Sequence, residues 1–299
     1  MRLPNAVIVG VPKAGTSSLF AWLAAHPHVA TSKAKETRYL MDPDSPLLPR
    51  RANFHVHGVN GYAALFAHAA PDSTVVLEAT PDYLYQRTAL DFFANVDVDA
   101  AIIVVLRRPS SRIYSYYQYA RGNMAVMPGD VTFRDFVGAV RTQAPRLDRG
   151  TNLQLTLAYS QYSDWIERWQ AQIDPARMRI YLFEAMVADP RGFMRRVAAD
   201  LGLDEQFYRD FDFERENETY GVRWRHLQRA RVELGQRLTD SWLKAQLKTA
   251  YSRLNVVPAA AKPSDDDRAV MAELDAEFAA RNDRLASMTG LDLSYWRAG

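Results

Sequence analysis

The segment that most constrains this chain runs from Ala6 to Leu23. Ala6-Val7-Ile8-Val9 is an apolar run without alternation, the pattern of a strand buried on both faces. Gly10-Val11-Pro12-Lys13-Ala14-Gly15 follows, a turn of mostly small residues bounded by glycines, and then Leu19, Phe20, Trp22 and Leu23 recur at helical spacing. Strand, tight turn and helix start, in that order, make an anion-binding device. The first N–H groups of a helix lack intrahelical acceptors, and they point toward the turn with the positive end of the helix dipole. The spacing from Gly10 to Gly15 fits G-x-x-x-x-G, the phosphate-loop pattern of nucleotide triphosphatases. Those loops carry lysine after the second glycine, whereas Thr16 stands there in this chain and the lysine is Lys13, inside the turn. The turn therefore predicts a bound anion other than a magnesium triphosphate.

A second apolar run, Ala101 to Leu106, also reads as a strand buried on both faces. A triphosphatase commonly ends such a strand with an acidic residue that holds Mg²⁺. This one ends in Arg107-Arg108-Pro109, and Pro109 suits the first turn of a helix that carries Ser110, Ser111, Arg112, Tyr114, Ser115, Tyr116 and Tyr117. A cationic strand end suits an anion, with Arg107 supplying a charge-assisted pair and Ser115 a hydroxyl to a second phosphate group.

Together these segments resemble the sulfotransferases that use 3′-phosphoadenosine 5′-phosphosulfate (PAPS). The phosphosulfate loop of that family reads P-K-x-G-T-[ST]-x-L, and Pro12 to Leu19 fits every fixed position. Its 3′-phosphate motif has Arg at a strand end and Ser eight residues later, as Arg107 and Ser115 stand here. Lys35-Glu36-Thr37-Arg38-Tyr39 is similar to K-E-x-x-[FY], and Glu78-Ala79-Thr80-Pro81-Asp82-Tyr83 to E-x-[ST]-P-x-Y, both from the branch with the heparan-sulfate sulfotransferases and many bacterial relatives. Tyr181-Leu182-Phe183-Glu184 with Asp189-Pro190 is similar to a later strand and helix start of that branch.

The resemblance implies PAPS as co-substrate without a metal, and a hydroxyl acceptor on a small molecule or glycan (a natural product, a glycolipid or an oligosaccharide). It implies that Lys13 stabilises the departing phosphate, that backbone N–H groups of Ala14, Gly15, Thr16 and Ser17 hold the 5′-phosphate with help from the Thr16, Ser17 and Ser18 hydroxyls, and that Arg107 and Ser115 hold the 3′-phosphate. Arg223 and Arg225, in the basic stretch Gly221 to Arg225, match a late loop that closes over the nucleotide. Glu36 aligns with the catalytic base. By residue type alone it belongs to a charged surface run, Ser32 to Glu36. Glu78 is the second candidate base, or else a hydrogen-bond partner of the loop. Many heparan-sulfate relatives have Lys after that glutamate; this chain has Ala79. His26, His28, His55 and His57 lie outside these motifs, and His26 reads as a cation at the end of the first helix. Tyr114, Tyr116, Tyr117 and Tyr119, and the pair Trp165 and Trp169, have helical spacing that points to packing for at least some of them.

Composition excludes several other classes. With 37 basic and 35 acidic residues there is no overall charge to drive nucleic-acid or membrane binding. No cysteine is present, which removes disulfides and thiol chemistry. No apolar run reaches membrane-spanning length and the first strand begins near Asn5, so the expectation is a cytoplasmic protein.

The fold class expected is α/β: one domain over residues 1–299, a central parallel sheet flanked by helices, with a core over about 5–210 and a helical tail over about 225–299. The resemblance makes this a P-loop, nucleoside-kinase-like architecture. Strands are expected at Ala6–Val9, Thr74–Leu77, Ala101–Leu106 and Met178–Phe183, and helices at Thr16–Ala25, Thr88–Ala94, Ser110–Arg121 and around Leu155–Ile173. Met41–Gly61, Gly122–Asp130 and Phe211–Trp224 read as loops, Val256 to Pro263 as a linker, and Ser264-Asp265-Asp266-Asp267 as a helix cap. Gly10, Glu78 and Arg107 are expected at strand ends around one cleft. Two other classes compete: a P-loop small-molecule kinase, which would need the lysine and acidic residue missing above, and a nucleotide-binding protein without catalysis.

Overall fold

Five parallel strands form the sheet, in the order β2-β3-β1-β4-β5. In the computed structural model, residues 2–124, 126–144, 151–214, 221–222, 256–257 and 262–296 are described. The strands are β1 (Ala6–Gly10), β2 (Val29–Thr31), β3 (Val75–Ala79), β4 (Ala101–Leu106) and β5 (Met178–Leu182). Every residue of β1 and β3 is buried, Glu78 in β3 included, as for strands covered on both faces. β1 lies between β3 and β4, with Val7 opposite Glu78 and Gly10 opposite Val104. The chain fills one side of β1 and then crosses to the other, so the turn after β1 opens at the switch point where such sheets bind ligands. β3 runs two residues further than Thr74–Leu77, which places Glu78 inside the strand.

The residues group into two compact units. The first comprises 1–108, 161–216 and 278–299 and contains the whole sheet. Helix α1 (Thr16–Ala24) buries Leu19, Trp22 and Leu23. Helix α2 (Phe54–Ala64) occupies part of the segment expected to be loop; Asn53 Oδ1 accepts from Val56 N at 3.1 Å and starts it. The helix was hidden in the sequence by its own interruption, since Gly58 adopts φ 57° and ψ −155°. Helix α3 (Arg87–Asn95) is capped from a distance: the Asp42 carboxylate accepts from Arg87 N at 3.0 Å and Thr88 N at 2.7 Å. Trp169, fully buried, donates to Leu84 O at 2.9 Å, and Trp165 packs edge-on to Tyr85.

The second unit comprises 109–160 and 217–277. It holds α4 (Pro109–Arg121) and α5 (Phe133–Arg141), whose capping box joins Thr132 and Asp135. Tyr117 is buried against Phe133 and Phe136, which bears out packing for that tyrosine. The helix expected around Leu155–Ile173 does not start until Tyr162; α6 is Tyr162–Gln170, and Asn152–Leu155 and Ala158–Ser160 are 3-10 turns. Side chains take the carbonyls a helix there would need: Thr156 Oγ1 donates to Leu153 O at 2.7 Å, and buried Arg112 donates to Thr156 O at 3.2 Å. Val256 and Val257, read as linker, pair antiparallel with Gly221 and Val222. After β5 come α7 (Phe183–Ala188) and α8 (Pro190–Asp200), and the last helix, α9, is Asp265–Thr289. Its cap is the one expected: Asp267 N donates to Ser264 Oγ at 3.1 Å and Ser264 N to Asp267 Oδ2 at 2.9 Å.

Candidate active site

The turn after β1 is tied to β4 on both sides of Lys13. Val11 N donates to Val105 O at 3.0 Å, and Arg107 Nη1 donates to Lys13 O at 2.9 Å. Lys13 and Gly15 both have left-handed backbones, with φ of 73° and 77°. Glycine suits position 15, because an added Cβ would crowd Met186 Cε and stand 2.9 Å from Phe183 Cδ2 on a left-handed backbone. Helix α1 takes over at once, with Leu19 N donating to Gly15 O at 3.1 Å, so its first-turn N–H groups face the turn. Ala14, Thr16 and Ser18 are buried, whereas Lys13, Gly15 and Ser17 keep partial exposure.

Arg107 is itself held. Its guanidinium lies 4.6 Å from the centroid of the Phe183 ring, and Tyr162 OH donates to its carbonyl at 2.8 Å. Glu184 Oε1 accepts from Arg108 N at 2.9 Å, which joins the ends of β4 and β5. Burial pushes the Lys13 ammonium down to about 8, and Arg107 adds to that shift. Such a lysine is still mostly charged at neutral pH, but it is poorly hydrated and gains much from an arriving anion.

Two carboxylates stand on the opposite side of β1, and they differ in kind. Glu36 has 34% of its side chain exposed, with Lys35 Nζ on Oε1 at 2.7 Å and Arg38 Nη2 on Oε2 at 3.0 Å. Burial would raise its carboxyl, but the Lys35 and Arg38 cations outweigh that and hold it below the ordinary value. Glu36 is also among the groups whose charge reaches Lys13. Glu78 is fully buried, and burial pushes its carboxyl up to about 7 against the pull of Thr80 and Thr37. Its Oε1 accepts from Thr80 Oγ1 at 2.7 Å and Thr37 Oγ1 at 2.9 Å.

The model of the Sulfotransferase domain matches residues 3–230, most of the chain. The chain belongs to the sulfotransferase domain family. Among its relatives, the mouse heparan sulfate glucosamine 3-O-sulfotransferase 3A1 is 28% identical over 215 residues, covering 69% of this chain and 49% of that protein. The human bifunctional heparan sulfate N-deacetylase/N-sulfotransferase 3 is 27% identical over 203 residues, 68% of this chain and 22% of that protein. The sulfotransferase domain described here therefore spans half or less of the length of these curated relatives. The crystal structure of a sulfotransferase from Alicyclobacillus acidocaldarius has the same fold, with a TM-score of 0.69 at 23% identity over 99% of this chain and 100% of that one.

The structure of this sulfotransferase domain brings Lys13, the turn through Ser18 and Arg107 together, with Glu36 in electrostatic range of Lys13. Glu78 lies below that surface, inside β3. Ser115 sits in α4, half-buried, in the second compact unit. Arg223 and Arg225 lie outside the described residues. His26 is a correction: it follows the end of α1 with its ring edge-on to Phe207, and burial lowers its pKa, which works against the cation expected on the helix dipole. His55 and His57 are exposed on α2 and bind Met41 O and Arg51 O, both at 2.9 Å. Sequence reasoning assigned no role to Thr37, Thr80, Tyr83 or Phe183, although the motifs around Glu36 and Glu78 contain the first three. Among the described residues no His, Cys, Asp or Glu group is arranged to hold a metal ion, and no helix is long and apolar enough to cross a membrane.

Proposed function

We propose that this domain transfers a sulfuryl group from PAPS to a hydroxyl acceptor by in-line displacement. The observation that carries the reading is the Lys13 turn: a half-buried lysine inside a strand–turn–helix anion site, braced by the arginine that ends β4. In this reading the acceptor oxygen attacks sulfur, the bond from sulfur to the bridging phosphate oxygen breaks, and adenosine 3′,5′-bisphosphate (PAP) leaves. Lys13 meets the charge that grows on that oxygen, where a preorganised cation is worth most. Backbone N–H groups of Ala14 through Ser17, with the Thr16, Ser17 and Ser18 hydroxyls, bind the 5′-phosphate.

Arg107, already aimed by Phe183 and the Lys13 carbonyl, takes the 3′-phosphate. Ser115 is assigned to the same phosphate on its sequence spacing alone, and Arg223 and Arg225 to the covering loop on the same ground. Glu36 takes the acceptor proton. Its accessibility supports that role over Glu78, since a base must come within hydrogen-bond reach of the proton it removes. The acceptor is a small molecule or glycan. The relatives named for heparan sulfate act on a glycan, and Ala79 in place of lysine removes one cation from a heparan-like site. No metal has a part in this scheme, the chain works as one domain over residues 1–299, and its location is cytoplasmic.

The test is a panel of phenols, alcohols, glycolipids and oligosaccharides incubated with PAPS, read by mass detection of the sulfate ester and of PAP. A sulfated product with PAP release supports the reading. Failure of every acceptor class, together with no binding of PAP, overturns it.

A further inference from the structure

Glu78 looks like a second base by its motif, yet its surroundings give it another task. The segment Glu36–Leu40 crosses the end of β3 with left-handed backbones at Glu36 (φ 61°) and Arg38 (φ 53°), neither of them glycine. Such conformations persist only where the surroundings over-determine them. Here Glu36 N donates to Ala79 O at 2.8 Å. Arg38 N donates to Thr80 Oγ1 at 3.2 Å, Tyr39 N to Thr37 Oγ1 at 3.3 Å, and Leu40 N to Tyr83 OH at 3.1 Å.

Backbone N–H groups only donate, so each of these hydroxyls acts as acceptor toward the segment and has one proton to pass on. Thr80 and Thr37 pass theirs to Glu78 Oε1. Thr37 has then spent its proton, so in its 3.2 Å contact with Tyr83 the tyrosine is the donor. Every hydrogen bond that passes through these three hydroxyls runs one way and ends on Glu78. Glu78 Oε2 is buried with no partner.

We infer that Glu78 is a positioning residue: through Thr37, Thr80 and Tyr83 it sets the backbone of Glu36–Leu40 and so holds the Glu36 carboxylate at the acceptor. The inference deepens the reading of Glu36 as base and rests on it. It requires of position 78 only a buried acceptor oxygen, which glutamine supplies and leucine does not.

The experiment compares Glu78→Gln, Glu78→Leu, Thr37→Val and Thr37→Ser. Three readouts apply: calorimetry with PAP, PAP release from PAPS with water or a panel acceptor, and hydrogen exchange at the Arg38, Tyr39 and Leu40 amides. Glu78→Gln and Thr37→Ser should keep amide protection and turnover within about tenfold, with the acidic limb of the pH profile unmoved. Glu78→Leu and Thr37→Val should lose that protection and about 10²-fold in kcat, the cost of misplacing a reacting group by about 1 Å, while PAP binding stays within about threefold. Thr37→Val covers the case in which Glu78→Leu does not fold. A Glu78→Gln variant as inactive as Glu36→Gln, with protection intact, overturns the inference and makes Glu78 the base. A Thr37→Val variant equal to wild type in protection and kcat also overturns it. If the wild type neither binds PAP nor consumes PAPS, the proposed function fails, whereas the amide exchange still reports on the network.

Discussion

Arg107 donates through Nη1 to the Lys13 carbonyl at 2.9 Å, so the cation at the end of β4 fixes the turn that presents the cation at the end of β1. The two positive charges are thereby held side by side before any ligand arrives, and their repulsion contributes to the depressed Lys13 pKa. A polyanionic nucleotide relieves that repulsion, which is the physical basis for expecting tight binding of PAP.

PAP should bind in excess EDTA, and Arg107→Ala should weaken it about 10- to 100-fold, the loss of a charge-assisted contact worth roughly 1.5–3 kcal/mol. Isothermal calorimetry measures both. 5′-AMP, without the 3′-phosphate, should bind much less tightly; equal affinity for the two nucleotides removes the role given to Arg107.

Lys13→Ala should lower kcat by about 10²–10³-fold, as for loss of one preorganised stabiliser, and change the PAPS KM far less. The wild-type pH profile carries a second sign of the same role. The charged lysine is the active form, so kcat/KM should fall as pH rises through about 8. In the kcat profile that limb should move higher, because bound phosphosulfate favours the charged form. A normal kcat with a raised KM makes Lys13 an anchor only.

Glu36→Gln should remove about 10²–10⁴-fold of the transfer rate and leave PAP affinity intact. Lys35 and Arg38 hold the Glu36 carboxyl below its ordinary value, so it stays ionised through neutral and mildly acidic pH. The acidic limb of the wild-type profile should therefore lie below the ordinary glutamate range. An acidic limb near neutrality points instead to a base with a raised pKa.

Glu78 should make the fold less stable as pH rises. Its carboxyl is raised from 4.5 to about 7, with Lys35, Tyr62 and Tyr83 as its charged or titratable neighbours. A folded pKa above the unfolded one gives stability that is complete below about pH 4.5 and is lost as pH climbs through about 7. The loss is on the order of 3 kcal/mol at 1.36 kcal/mol per unit. Thermal melts of wild type and Glu78→Gln between pH 5 and about 8.5 measure it; the variant should lose less Tm over that interval than the wild type.

The elements around the candidate site that are legible in the sequence are those written locally. The Lys13 turn is written in thirteen consecutive residues, Val7 to Leu19, and the Arg107 strand end in an apolar run and the arginine after it. The Glu78 network joins residues 41 and 46 positions apart, Thr37 to Glu78 and Thr37 to Tyr83. Nothing in either motif alone reveals that they interlock, because the contact depends on where the segment crosses β3. The apolar run ending at Leu77 predicts Glu78 at a strand end facing a cleft; two more strand residues put it in the core. Helix α2 went unread for the converse reason, since Gly58 and Gly61 give it a loop-like composition while Asn53 and Tyr39 hold it from outside.

The Lys13 turn and the Glu36 segment are fastened to different neighbours of β1. Val105, Arg107, Phe183 and Met186 hold the turn from the β4 and β5 side, and Ala79, Thr80 and Tyr83 hold the segment from the β3 side. In the proposed scheme the donor site and the base are therefore held by separate sets of ties, so a substitution on the β3 side reaches the acceptor chemistry without loosening the Lys13 turn.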